Sequence, residues 1–125
     1  MQSTLKMFGI GLAATVGGLF FGSVTVAADA ENGAQLYKEK LCQTCHGPEA
    51  NTPLAPGYPK LAGQDETYLV NQIKAIKNKT RTNDLSETMV AFTLTLTDEN
   101  IADIAAWIAS VDSFSIRNLK NKIMN

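Results

Sequence analysis

Cys42-Gln43-Thr44-Cys45-His46 is the stretch of this sequence whose residue types and spacing carry chemistry most directly. Two thiols three positions apart can form thioethers with the two vinyl groups of a haem, and the adjoining imidazole can then ligate its iron. Other chemistries use the same pair. A redox dithiol wants a βαβ setting. A tetrahedral zinc site wants four ligands, and with 2 Cys and 1 His in the whole chain none remains to complete the set. A plain disulfide asks only for an oxidising compartment. The pattern reads as a c-type haem attachment site, with the disulfide as the plain alternative.

The elements that position these residues follow from the patterns on either side. Asp29 or Asn32 can cap a helix in which Ala34, Tyr37 and Leu41 recur at three- and four-residue steps, running straight into Cys42. Gly33 lies four residues before Tyr37, a bare backbone patch beside an aromatic ring where another helix can cross closely. After His46 the periodicity stops, and Pro48, Pro53, Pro56 and Pro59, with Gly47, Gly57 and Gly63, make an irregular wrapping loop. A ligating imidazole needs its second ring nitrogen held in one tautomer, and a carbonyl of this loop can accept that N–H. Among the four prolines our choice is Pro59.

Asp65 can cap a second helix, with Glu66 in its first turn, Leu69, Ile73 and Ile76 on one face, and an end near Asn78. Leu69 and Ile73 would face the haem, and Arg81 or Tyr68 is a candidate for bonding a propionate. Thr80 to Thr97 reads as an extended loop, because Phe92, Leu94 and Leu96 alternate with no partner strand in view. Met89 stands out within it: iron held by one histidine has an open sixth position, and a thioether there gives the higher-potential centre of electron carriers. Met1 and Met7 fall in the leading segment and Met124 is penultimate, which leaves Met89 as the candidate. Thr97 caps a last amphipathic helix of about four turns, with Ile101, Ile104, Ala105, Ile108 and Val111 on one stripe and Trp107 at its edge. The tail from Asp112 repeats Ile116, Leu119 and Ile123 at helical steps, as a short docking helix or a frayed end.

The 125 residues make one domain, and 11 basic against 12 acidic side chains leave no polybasic surface for nucleic acid. Lys6 precedes a run from Met7 to Ala28 with no charge, and Val26-Ala27-Ala28 offers the small residues a signal peptidase reads. We expect residues 1–28 to be a signal peptide, with an uncleaved membrane anchor as the competitor and Ala28-Asp29-Ala30 as a second cut site. Residues 29–125 then form the haem domain, which is periplasmic or, if the anchor stays, held on the membrane facing the periplasm.

Gly33-x-x-x-Tyr37, Cys42-Gln-Thr-Cys45-His46, Pro59-Lys-Leu61-Ala-Gly63, Met89 and Ala102-Asp-Ile104-Ala-Ala-Trp107-Ile108 together resemble the class I c-type cytochromes. Tyr58 to Asp84 is similar to one half of the dihaem periplasmic members. The resemblance reaches about Val111. It implies an all-α cytochrome c-like fold: three main helices, with irregular loops, wrapped around one covalent haem. It also implies that the Pro59 carbonyl bonds the proximal His46, and that Trp107 packs near Gly33 and Tyr37. Two departures stand out: the half that would carry a second haem is absent, and no proline follows Met89.

The expected function is one-electron transfer in a periplasmic or membrane-linked respiratory chain. The cofactor is a single haem c on Cys42 and Cys45, with His46 and Met89 as axial iron ligands. The partners are redox proteins, donor and acceptor, and the chain is a monomer or a subunit of an oxidoreductase; no enzymatic activity of its own is expected. The competing readings are a haem subunit docked permanently on a larger oxidoreductase, and a peroxidase or gas-binding protein in which Met89 is displaced. No second histidine supports acid–base chemistry opposite His46.

Overall fold

The computed structural model describes residues 26–124, without the side chains of residues 112–117 and 119. The expected export segment lies outside the described residues as far as residue 25. The described residues form five helices and no strand: α1 (Ala30–Glu39), α2 (Gln43–His46), α3 (Glu66–Lys77), α4 (Ser86–Thr93) and α5 (Asp98–Met124). The expected all-α architecture is found, with α1, α3 and α5 as the three main helices.

Asp29, not Asn32, caps α1: its Oδ1 accepts the N–H groups of Glu31 and Asn32 at 2.9 and 3.1 Å. The helix does not run into Cys42. It stops at Glu39 because Leu41 takes a left-handed conformation (φ 60°), with its N–H on the Lys38 carbonyl and the Cys42 N–H on the Tyr37 carbonyl, both at 3.0 Å. This is a Schellman end, normally built on glycine, and it reverses the chain into the separate turn α2. Lys79 (φ 57°) ends α3 in the same way. At the start of α3, Asp65 accepts the Tyr68 N–H at 2.8 Å. Thr97 starts α5 by accepting the Asn100 N–H, and the Asn100 side chain accepts the Thr97 N–H in return.

Two expectations are corrected. The stretch read as an extended loop contains α4, which holds Met89 and packs against α3; of its alternating apolar residues Phe92 lies in this helix, Leu94 caps its end and Leu96 follows it. Tertiary packing overrides the strand-like composition of Thr88, Val90, Phe92 and Thr93. The tail after Val111 is neither frayed nor separate, since α5 runs unbroken to Met124.

The core lies where α1 and α3 pack on α5, and its centre is Tyr37, Leu69, Ile73, Ile101, Ile104 and Ile108. A Cβ on Gly33 would meet the Asp103 carbonyl oxygen at 1.9 Å, so glycine alone permits the α1–α5 crossing at this distance. One turn on, the Tyr37 and Trp107 rings pack tilted, with centroids 4.5 Å apart, where the resemblance put them.

The candidate haem site

Cys42, Cys45 and His46 come together on the turn formed by the end of α1 and α2. Three devices hold it. The Cys42 N–H is tied to α1 through Tyr37. The buried Tyr37 hydroxyl donates to the Gly47 carbonyl at 2.8 Å. Gly47 itself has φ 83°, and a Cβ there would stand 2.2 Å from the Thr52 carbonyl oxygen, so the turn after His46 requires glycine. Sequence reasoning missed the Tyr37 hydroxyl, because nothing in a buried aromatic position announces where its O–H goes.

The proline loop folds back over this turn. The Ala50 carbonyl accepts the N–H groups of Leu61 and Ala62 at 2.8 and 2.9 Å, and the Gly63 N–H reaches the Ile108 carbonyl on α5. The loop is thereby fixed with the Pro59 carbonyl 3.0 Å from His46 Nδ1. The His46 Nδ1–H donates to that carbonyl, which leaves Nε2 as the nitrogen free to bind a metal. His46 is 6 % exposed, and burial holds its imidazole below the ordinary pKa, partly offset by the Pro59 carbonyl. The neutral ring is the ligating form.

Cys42 and Cys45 are not joined in a disulfide. Burial chiefly, with the neighbouring Cys45, pushes the Cys42 thiol up to about 11, against a backbone hydrogen bond that lowers it. A redox dithiol needs a depressed thiol pKa, so Cys42 has the wrong electrostatics for that reading. Among the described residues no group of three or more His, Cys, Asp or Glu is placed to hold a metal ion.

The two thiols and His46 line one cavity of about 290 Å³ with Met89 of α4. Between them its wall is apolar, carried by Leu61, Leu69, Ile73, Leu96, Ile104 and Ile108. Leu69 and Ile73 thus face the cavity as expected. A donor set of two thiols, one tautomer-fixed imidazole and one thioether in an apolar cleft fits a covalently held haem. Tyr68 and Arg81 also line the cavity. Arg81 is held by Gln72 Oε1 at 2.9 Å and Asn83 Oδ1 at 3.2 Å, and Tyr68 is 51 % exposed. Tyr58, unremarked in the sequence, sets its ring edge-on to His46 with centroids 6.5 Å apart.

Comparison with known proteins identifies the family. The family model for cytochrome c matches residues 30–112. Cytochrome c4 of Pseudomonas aeruginosa is 44 % identical over 89 residues, 71 % of this chain and 41 % of its own length. Cytochrome c-554(548) of Halomonas halodenitrificans is 42 % identical over 84 residues, 67 % of this chain and 98 % of its own. A Stutzerimonas stutzeri protein named thiosulfate dehydrogenase electron acceptor is 34 % identical over 70 residues, 56 % of this chain and 32 % of its own. The crystal structure of reduced cytochrome c4 from Pseudomonas stutzeri superposes with a TM-score of 0.55 at 37 % identity, over 67 % of this chain and 46 % of that one. The chain therefore spans less than half of the cytochrome c4 relatives but nearly all of the Halomonas protein. With its all-helical fold and its Cys42–His46 turn in place, this chain belongs to the cytochrome c family, whose members carry covalent haem c and transfer electrons.

Proposed function

We propose that the protein is a one-electron carrier of a periplasmic respiratory chain, with haem c joined to Cys42 and Cys45 and its iron held between His46 Nε2 and the Met89 thioether. The observation that carries this reading is the His46–Pro59 hydrogen bond at 3.0 Å, in a cavity that also receives both thiols and Met89. When bound, haem c supplies an iron centre that gains and loses one electron without making or breaking a substrate bond. The chain's residues set the conditions. Pro59 fixes the imidazole's tautomer and orientation, so His46 needs no rearrangement as the charge on its partner changes. The Leu and Ile wall keeps water out, and the Met89 thioether, as an iron ligand, would favour the reduced state. Among the described residues no second histidine and no paired acid stands beside the cavity for substrate chemistry, and we read the protein as having no catalytic activity of its own.

The reading includes export with removal of residues 1–28, leaving 29–125 as the cytochrome domain. No helix among the described residues is long and apolar enough to cross a membrane. The donor is a redox protein, and the relative named as a thiosulfate dehydrogenase electron acceptor favours a dehydrogenase in that place. A second reading, a subunit docked on a larger oxidoreductase, has one supporting observation: α5 continues to Met124, past the family match that ends at residue 112.

The test is the exported protein itself. Its mass should show the chain from Asp29 plus one haem, and its reduced spectrum a low-spin, six-coordinate centre. Met89→Ala should leave the haem attached but open the iron to carbon monoxide at neutral pH. A haem-free disulfide, or a wild-type reduced form that binds carbon monoxide readily, would overturn the proposal.

A further inference from the structure

Asp103 lies in the second turn of α5 and is only 4 % exposed, yet its carboxylate is engaged with the start of α1. Oδ1 accepts the backbone N–H of Asp29 at 2.7 Å, and Oδ2 accepts the side-chain amide of Asn32 at 2.8 Å. Both donors are neutral. A carboxylate withdrawn from water loses its hydration, and charged donors restore more of that loss than amides do. The place for a cation is already marked, because the Asp29 nitrogen is the atom at which the chain would begin if the leader were cut after Ala28.

We propose that the leader is cut between Ala28 and Asp29, and that the α-ammonium group so formed becomes the counter-ion of Asp103, fastening α1 to α5. This rests on the reading that the leader is removed on export. In the cut a leader peptidase directs water onto the Ala28 carbonyl carbon and the C–N bond breaks. The hydroxyl stays on Ala28, and the Asp29 nitrogen takes up protons to become an ammonium. One of its three N–H groups then makes the bond to Asp103 Oδ1 that the amide makes now, with a full positive charge added. Val26, 76 % exposed, and Ala27 lead up to the bond through solvent, where a peptidase can reach the chain.

The geometry also separates the two cut sites that the sequence offers. A cut after Ala30 removes Asp29, and with it both the N-cap of α1 and the atom that meets Asp103. A cut after Ala27 keeps them but carries the charge one residue along, about 3.8 Å in Cα spacing. Only the cut after Ala28 puts the charge on the bonded nitrogen.

The ionisable groups nearest to this contact along the chain are Asp29 and Glu31 at the start of α1 and, on α5, Asp103 and, one turn before it, Glu99. All are carboxylates and favour the ammonium, against the opposing dipole at the start of α1.

Mass spectrometry of the exported holo-protein should place Asp29 first. A first residue of Ala30 overturns the assignment, and so does a retained leader, which also ends the export reading. Cyanate, which carbamylates only the unprotonated α-amine, tests the ion pair separately. With an ordinary α-amino pKa of about 7.7–8.0, a rise of one unit cuts the reactive fraction about six- to eightfold at pH 7.5. The wild-type amine should therefore react about six- to eightfold more slowly than that of Asp103→Asn. Where Asp103→Asn fails to fold, the wild-type rate is followed against pH, and its midpoint should lie about one unit above the ordinary range. Equal rates in the two proteins, or a wild-type midpoint in the ordinary range, overturn the ion pair even with Asp29 first.

Discussion

Replacing Gly33 with alanine should invert the usual sign of such a change. In an exposed helix interior, glycine to alanine stabilises by about 1 kcal/mol through backbone entropy. At Gly33 the new Cβ would stand 1.9 Å from the Asp103 carbonyl oxygen and 3.0 Å from the Ile104 nitrogen. Bringing the first contact out to 3.0 Å, below which real Cβ atoms essentially never approach, opens the crossing by 1.1 Å. An opening of that size forfeits about a quarter to a half of the dispersion energy across the seam, the Tyr37–Trp107 contact included. It also stretches the Asp103 bonds to Asp29 and Asn32, now 2.7 and 2.8 Å, beyond hydrogen-bond range. Overpacking costs about 1–3 kcal/mol and bonds to a charged acceptor about 1.5–3 kcal/mol each. After the propensity gain, a net loss of about 3–8 kcal/mol is expected, a large part of the 5–15 kcal/mol typical of a whole domain. Guanidinium unfolding of the holo-protein, followed by far-ultraviolet circular dichroism, measures it. A Gly33→Ala protein as stable as the parent, or more so, would refute the claim that α1 and α5 touch backbone to backbone.

Tyr37→Phe removes the buried hydrogen bond to the Gly47 carbonyl and should cost about 1–2 kcal/mol in the same assay, with the haem spectrum kept. The same hydroxyl has a signature at high pH. Burial first, then the negative charge of Cys42, Cys45 and Glu49, raises the Tyr37 pKa well above the ordinary phenol value, and the burial cause survives thioether formation. Its contribution is whole below about pH 10 and is lost as pH rises above that, so wild-type stability should fall there faster than that of Tyr37→Phe. Lys79→Gly should stabilise by about 0.5–1 kcal/mol, since an exposed L-residue at φ 57° gives up about 1–2 kcal/mol and glycine's greater unfolded-state freedom returns part of that difference; a lower denaturation midpoint would contradict it. Lys74 hydrogen-bonds Asp98 at 2.9 Å and holds its carboxyl below the ordinary range, so the stability from this pair is present above about pH 4 and is lost as pH falls below it. Asp98→Asn should remove that part of the acid dependence, and the difference should shrink in high salt.

The legible parts of this molecule are those whose cause is local. Cys42, Cys45 and His46 announce themselves by spacing. Asp29, Asp65 and Thr97 are read as caps because a short polar side chain answers the N–H groups two or three residues on. The left-handed Leu41 was hidden, since leucine at a Schellman end gives no glycine to notice, and α1 was therefore read one turn too long. Helix α4 was hidden for another reason. Leu85 at its start makes no side-chain cap, and its β-branched and aromatic residues have strand propensity, so only packing against α3 makes it helical. Asp103 was passed over because its partners lie on another helix, and no local pattern marks a carboxylate that answers a chain end seventy-odd positions away.

Seen as a polymer problem, the Asp29–Asp103 bond closes a loop of 74 residues, and every group with a chemical role lies inside it. The entropy of such a closure grows only with the logarithm of its length, and even doubling the loop costs about 0.6 kcal/mol. The α1–α5 clasp meets that cost once, in one place. Between its two ends, the proline segment and the connection that carries Met89 can lengthen or shorten by several residues at almost no thermodynamic penalty, provided His46 keeps Pro59 and the clasp stays shut. The fold is thus strict at its ends and permissive along its middle, where an electron carrier would be re-tuned for a new partner.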